Sequence, residues 1–113
     1  KIVNNLLLLI FSLLLTACAS HADKKPQTTP LDKLELSAYQ YCGSDSDCVY
    51  ANNGCCDCAN GGEAVAVNKE RLKDFRARFD CMKTMCTRMA AVPACDSGVV
   101  SCIEHRCKYF PKK

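Results

Sequence analysis

Apolar residues fall into a few short stretches of the chain, and each stretch has its own spacing. The first is a run from Leu6 to Leu15 that is interrupted only by Ser12. A helix of that length is too short to cross ~30 Å of hydrocarbon. With Lys1 ahead of it, the run is typical of the apolar region of a signal peptide. We therefore expect the chain to be exported.

The stretch from Ser20 to about Ala38 is polar, contains Pro26 and Pro30, and shows no periodicity. Such a stretch cannot bury enough apolar surface to offset the entropy lost on ordering. We therefore predict a flexible tether here.

Two segments downstream have strand character: 47–51, which includes Val49 and Tyr50, and 64–67, in which alanine and valine alternate. Between them stand Asn53-Gly54 and Asn60-Gly61-Gly62, which are turn sequences. They allow one wide connection or two tight reversals around Cys55-Cys56-Asp57-Cys58, and we favour the wide connection.

A helix is predicted after Asn68, which is a good N-cap, with Glu70 in the first turn. Apolar residues then recur at steps of three and four: Leu72, Phe75, Phe79, Met82 and Cys86. We interpret this stripe as core packing. Asp74 and Arg78 have the spacing of an i,i+4 ion pair. Cys81 lies off the stripe, so it and Cys86 should reach different partners, or else the helix breaks near Asp80.

The segment from Val99 to Phe110 predicts a β-hairpin with its turn near Glu104 to Arg106 and one cysteine on each arm. Together these elements predict an α+β fold: a small disulfide-rich domain with a short antiparallel sheet and one main helix.

Composition adds that 11 of the 113 residues are cysteine, a density that suggests a disulfide scaffold and an oxidising compartment. Setting Cys18 aside leaves an even number, enough for up to five bridges in the folded part. These predicted disulfide cysteines are Cys42, Cys48, Cys55, Cys56, Cys58, Cys81, Cys86, Cys95, Cys102 and Cys107. The number of cysteines does not determine which of them pair with each other. The net charge of +3 is spread over both signs, so we expect no nucleic-acid partner.

The sequence Leu15-Thr16-Ala17-Cys18 resembles the lipobox of bacterial lipoproteins. The resemblance implies cleavage before Cys18 and lipidation of its sulfur, with palmitate-type acyl chains as the membrane anchor. It divides the chain into a signal peptide (1–17), a lipidated cysteine with a flexible tether (18–38) and a cysteine-rich domain (39–113). Ala19 after the cysteine favours the outer membrane, with the domain facing the periplasm or the cell surface.

The folded part also resembles the bacterial eight-cysteine-cluster domain proteins, which are small exported or lipid-anchored chains. The resemblance rests on Tyr41-Cys42, Asp45-Ser46-Asp47-Cys48-Val49, Cys55-Cys56-Asp57-Cys58, the segment from Gly61 to Asn68, Cys81, Cys102 and Cys107. Because this chain has ten cysteines in the domain, the resemblance implies an additional Cys86–Cys95 pair. It implies architecture and location, and it assigns no catalytic residue.

Metal binding, thiol–disulfide catalysis and hydrolysis have less support in the sequence. The Cys55-Cys56-Asp57-Cys58 cluster, with His105, is dense enough for Zn²⁺ or Cu(I) but lacks a second Cys-x-x-Cys. The spacing of Cys56-Asp57-Cys58 does not suit thiol–disulfide catalysis, and two histidines, one of them His21 in the tether, leave no Ser-His-Asp set. We therefore expect no enzyme and no cofactor.

The interpretation that best fits these observations is a lipid-anchored, disulfide-stapled binding or structural module of the cell envelope. Its expected partners are the membrane, through the anchor, and an envelope or extracellular protein. The first alternative is a protease-inhibitor-like module that presents a rigid loop, for which we considered 51–54 and 96–98. A soft-metal or thiol-redox protein is the second.

Overall fold

The computed structural model of the chain describes residue 3, residues 24–87 and residues 97–112. The predictions for the signal peptide, Cys18 and Cys95 lie outside the described residues. Within them the fold is a small α+β domain held by disulfides, which confirms the predicted fold class. None of the helices that the structure describes is long and apolar enough to cross a bilayer.

Both strand predictions in the first half of the domain are confirmed. Strand β1 (Cys48–Asn52) pairs antiparallel with strand β2 (Ala64–Asn68), and Tyr50 lies opposite Ala66. Residues 53–63 form the single wide connection that we favoured: Asn52 pairs with Ala64 where it begins and ends, and a 3-10 turn (Cys58–Asn60) lies within it.

The predicted hairpin is also present. Strand β3 (Val99–Ile103) pairs with strand β4 (Arg106–Phe110), and Cys102 lies directly opposite Cys107. The two turn residues, Glu104 and His105, have φ of 52° and 60°. Positive φ at both central positions gives a turn whose twist matches that of the strands.

The structure has two two-stranded sheets where we predicted one sheet. Gln40 explains the separation, since its buried side chain lies between β2 and β4. Its Nε2 donates to the carbonyl of Ala66 at 3.0 Å and to that of Cys107 at 3.2 Å. The backbone carbonyls of Tyr39 and Gln40 also accept the N–H groups of Asn68 and Cys107, both at 2.7 Å, so residues 39–40 lie where a direct β2–β4 ladder would otherwise form.

The main helix begins where predicted and ends earlier. A 3-10 turn (Lys69–Arg71) runs into helix α2 (Leu72–Arg76), and Asn68 caps it by accepting the Glu70 N–H at 2.8 Å. Phe75 is fully buried, but Met82 lies beyond the helix and is 94% exposed. The predicted continuation of the apolar stripe through Met82 and Cys86 is therefore wrong.

The predicted pair of Asp74 and Arg78 is also wrong, because the helix ends between them. Arg78 instead contacts Glu35 at 3.5 Å, and Asp74 lies 4.0 Å from Arg71.

Residues that we assigned to a flexible tether belong to the folded domain. Helix α1 (Lys33–Ser37) is capped by Asp32, and Leu31 and Leu36 lie in the core. Gln27 exchanges two backbone hydrogen bonds with the chain after α2: its N–H donates to Arg78, and its carbonyl accepts from Asp80. The domain thus includes residues before 39, because these few apolar side chains find partners supplied by α2 and β2.

The core has two parts. In the larger one the ring of Phe75 packs edge-on against Tyr39 and Phe79, with centroids 5.4 and 5.3 Å apart. The smaller part consists of Cys42, Cys48, Ala66 and Cys107, so half-cystines take the place of aliphatic side chains there.

Candidate functional site

The disulfides fall into two groups with different surroundings. Cys42–Cys102 and Cys48–Cys107 lie in the smaller core, where Cys42 and Cys107 have no exposed surface. Cys55–Cys81 and Cys56–Cys86 lie at the surface, and Cys81 and Cys86 are exposed. Cys48–Cys107 joins β1 to β4 and so holds the two sheets together, and Cys42–Cys102 fixes the segment before β1 to β3. The second pair holds a loop.

Nine of the ten predicted disulfide cysteines lie in the described residues, and all nine are disulfide-bonded, Cys58 included. The implied pair of Cys86 with Cys95 is wrong, because Cys86 bonds to Cys56. Cys81 and Cys86 reach different partners, as expected from their spacing. The two partners, Cys55 and Cys56, are adjacent in the sequence, which the spacing between Cys81 and Cys86 did not predict.

The loop from Cys81 to Cys86, called here the clamped loop, is fixed at both ends to adjacent residues of the wide connection. The bridges from Cys81 to Cys55 and from Cys86 to Cys56 close a covalent ring. Ordering such a loop at a binding surface costs little entropy, because its ends are already fixed.

Local hydrogen bonds shape the clamped loop as a turn. The N–H of Thr84 donates to the carbonyl of Cys81 at 3.3 Å, and the N–H of Met82 donates to the carboxylate of Asp80 at 3.3 Å. Met82 is 94% and Met85 is 95% exposed, while Thr84 is half-buried. The turn therefore directs one polar side chain inward and two long apolar side chains outward.

The wide connection beneath the clamped loop is rigid for identifiable reasons. The carbonyl of Asp57 accepts the N–H groups of Asn60 and Gly62 at 3.0 and 2.8 Å, and its carboxylate accepts the Asn60 amide at 2.6 Å. A Cβ at Gly62 would lie 1.8 Å from the carbonyl oxygen of Cys56, so only glycine fits. Asp57, which we considered as a metal ligand, organises this turn.

A cleft of about 220 Å³ lies beside the clamped loop, between the end of β1 and the region after α2. It is lined by Tyr50, Ala51, Asn52, Gly54, Cys55, Arg76, Phe79 and Cys81. Its floor combines aromatic and amide groups, and Arg76 gives one wall a positive charge. A partner that contacts the clamped loop therefore also meets this cleft.

A group of charged side chains holds the N-terminal segment in place. Hydrogen bonding from Lys24, supported by Arg78, lowers the pKa of Glu35 below its ordinary value. The hydroxyl of Tyr39 accepts a hydrogen bond from Arg78 at 3.3 Å. This bond, together with the contact to Glu35, raises the pKa of Arg78 above its ordinary value. The group is structural, because every member contacts the segment it fixes.

His105, the second residue that we considered as a metal ligand, lies at the hairpin turn. Its Nδ1 is 3.1 Å from the carbonyl oxygen of Cys42, and its ring stacks on Tyr41 at 5.9 Å. Sulfur ligands are not present as thiolates among the described residues. Even the closest sulfur group, that of Cys42, Cys48 and Cys107, is made of disulfide sulfurs.

Of the two loops that we considered for protease inhibition, 51–54 does not have the required exposure. Ala51 and Asn53 are buried, and Asn53 is only 1% exposed, so 51–54 cannot enter a cleft. In the second candidate, 96–98, residue 96 lies outside the described residues. Within the part of the chain that the structure describes, 81–86 is an exposed loop held by two disulfides, where sequence reasoning expected either a continuing helix or a helix that breaks near Asp80. The adjacent cysteines at 55 and 56 were the sequence signal that could have indicated a loop held at both ends.

No family model, curated protein or solved structure matches the chain.

Proposed function

We propose that the chain is a lipid-anchored binding module of the bacterial cell envelope that presents the clamped loop to a protein partner. Its disulfides indicate an extracytoplasmic location. The anchor is supported by the lipobox-like sequence ending at Cys18, and the architecture by the resemblance to eight-cysteine-cluster domains.

The observation that carries the binding role is the exposure of Met82 and Met85 on a doubly clamped loop. An unbranched thioether side chain adapts to an irregular apolar surface, which is why methionine is common at binding surfaces. Here the backbone is fixed while the side chains stay adaptable. Ordering on binding then involves the two side chains and little of the backbone, and the contact favours a groove on the partner.

Protease inhibition is less well supported by this geometry. Peptides that add to a sheet edge or cross a cleft do so in extended form. The clamped loop instead turns between Cys81 and Thr84. We therefore assign the loop to a groove-shaped partner.

The loop assignment is tested by immobilising the full chain and quantifying captured envelope proteins by mass spectrometry. The double variant Met82→Ser/Met85→Ser should lose a partner that the wild-type protein captures. Leu34→Ser is the matched control, because Leu34 is also apolar and 82% exposed but lies on α1. Equal capture by the loop variant and the wild type would overturn the loop assignment.

The anchor is tested separately. Wild-type protein expressed in a bacterial host should partition into a detergent phase and carry acyl chains on Cys18. Cys18→Ala should lose both properties. An unmodified Cys18 peptide from exported wild-type protein would contradict the anchor and leave the loop assignment standing.

A further inference from the structure

The outward face of the β3–β4 hairpin combines apolar and cationic side chains on one surface. Val100, Cys102 and Tyr109 pack against the smaller core, so residues on the other face of each strand point away from it. The register pairs Val99 with Phe110, Ser101 with Lys108 and Ile103 with Arg106. We call these six residues the hairpin face.

Its apolar members are exposed: Val99 at 63%, Ile103 at 39% and Phe110 at 44%. Its cations, Arg106 and Lys108, are exposed too, and Lys112 follows shortly after β4. Each apolar side chain therefore lies on the same surface as a positive charge.

Among the described residues, acidic groups beside the hairpin lie outside the six residues of the hairpin face: Glu104 in the turn, and Asp45 and Asp47 in the 3-10 turn that packs against β3. The carboxylate of Asp45 accepts the N–H of Cys102 at 2.7 Å. Since the six residues of the hairpin face include two cations and no acid, the face itself is positive. Tyr41 adds an aromatic ring, 69% exposed, beside the hairpin turn.

We propose that the hairpin face docks onto an anionic phospholipid surface. Cationic side chains contact lipid phosphates, apolar side chains enter the boundary between headgroups and acyl chains, and a tyrosine ring is suited to the same depth.

The size of the face favours a membrane over a protein partner. Two five-residue strands span roughly 17 Å by 10 Å, or about 170 Å². A stable protein interface needs about 800 Å² on each partner. A membrane contact has no such threshold, because weak binding is sufficient when a second attachment keeps the domain near the bilayer. The inference does not depend on the anchor, which would only strengthen the contact.

Binding of the full chain to vesicles tests the proposal. We would compare vesicles of phosphatidylcholine alone with vesicles that contain about one third phosphatidylglycerol, at about 0.1 M salt, where the Debye length is about 10 Å. The wild type should prefer the anionic vesicles. Arg106→Gln/Lys108→Gln/Lys112→Gln should lower the partition coefficient on them by about tenfold or more, since each cation near an anionic surface contributes to binding.

Lys25→Gln/Lys33→Gln/Lys73→Gln is the matched control, because it removes the same charge from exposed positions on the N-terminal segment, α1 and α2, outside the hairpin. It should change anionic binding by no more than about twofold, since charges beyond a Debye length are screened. For the apolar contribution, Phe110→Ser should weaken binding, and Leu34→Ser should not. Thermal unfolding of each variant checks that the domain is intact.

Equal losses from the two triple variants would overturn the proposal, because binding would then follow net charge alone. Equal binding of the wild type to both vesicle types would also overturn it. If the hairpin variants instead lose binding to soluble polyglutamate while vesicle binding is unchanged, the face recognises an acidic protein, and the membrane proposal is wrong. None of these outcomes depends on Met82 or Met85.

Discussion

The side chain of Asn53 pairs with the backbone of Leu31 through two hydrogen bonds. Its Oδ1 accepts the Leu31 N–H at 2.8 Å, and its Nδ2 donates to the Leu31 carbonyl at 2.9 Å. The amide thus makes the same donor and acceptor contacts as the backbone of a neighbouring strand, and it fixes the N-terminal segment to the end of β1. Because Asn53 is 1% exposed, water cannot replace it.

Asn53→Ala should therefore lower the free energy of unfolding by about 2–4 kcal/mol, since it leaves buried backbone groups of Leu31 without partners. Urea unfolding monitored by circular dichroism measures the change. Asn60→Ala is the control, because the Asn60 amide bonds to Asp57 at the surface. Its cost should be below about 1 kcal/mol. An equal loss of unfolding free energy in the two variants would show that the hydrogen bonds between Asn53 and Leu31 stabilise the domain no more than the surface bond of Asn60 does.

Phe75, Phe79 and Met82 share one sequence periodicity but differ in burial, so their truncations should differ in cost. Phe75→Ala should cost about 3–5 kcal/mol, because the ring is fully buried. Phe79→Ala should cost less, about 1–3 kcal/mol, because the ring is half-buried. Met82→Ala should stay within about 0.5 kcal/mol. A large loss from Met82→Ala would mean that the helical stripe does continue beyond Arg76.

Mild reduction should open the surface bridges first. Cys81 and Cys86 are exposed, whereas Cys42 and Cys107 are not, and exchange needs access of a thiolate to sulfur. Stepwise addition of dithiothreitol, followed by alkylation and peptide mapping, should label Cys55, Cys56, Cys81 and Cys86 before the core half-cystines. Early labelling of Cys42 or Cys107 would contradict the burial of the core bridges.

Asp47 should make stability depend on acid pH. Its carboxylate accepts the N–H groups of Gly43 at 2.9 Å and Ser44 at 3.1 Å, and these bonds lower its pKa below the ordinary value of 3.8. The stabilisation is therefore full above pH 3.8 and is lost as the pH falls through the lowered folded-state pKa.

The thermal midpoint of Asp47→Ala should accordingly lie below that of the wild type at pH 7. The difference should shrink as the pH falls below 3.8, because wild-type Asp47 then becomes protonated. Glu35 also has a lowered pKa, but it titrates in both proteins and cancels in the comparison. A midpoint difference that is constant from pH 7 to pH 2.5 would contradict the assignment.

Elements whose signals are local could be predicted from the sequence. The β3–β4 hairpin could be predicted from two apolar segments, the short turn between them and a cysteine in each segment. The helix cap at Asn68 could be predicted from the residues next to it in the sequence. The end of α2 could not be predicted, since no glycine or proline lies between Arg76 and Pro93 to stop the helix. Tertiary contacts end it: Phe79 bridges to Gln27, and Cys81 bonds to Cys55.

The folded N-terminal segment was missed for a related reason. Leu31 and Leu36 are isolated apolar residues in a polar, proline-containing stretch, and no local pattern shows that Phe75 and Val67 lie in the same core cluster. The clamped loop was missed because Met82 continues a helical spacing by coincidence. In each case the deciding contact joins residues far apart in sequence.

The bridges to Cys55 and Cys56 also determine what happens when the clamped loop is cut. A single break in any peptide bond between Cys81 and Cys86 leaves both new ends attached to neighbouring residues, so no fragment departs. The nicked molecule keeps every disulfide, and its two parts remain one covalent molecule. Cleavage at this site would therefore leave the mass of the unreduced protein higher by one water only, and separation of the two parts would require reduction.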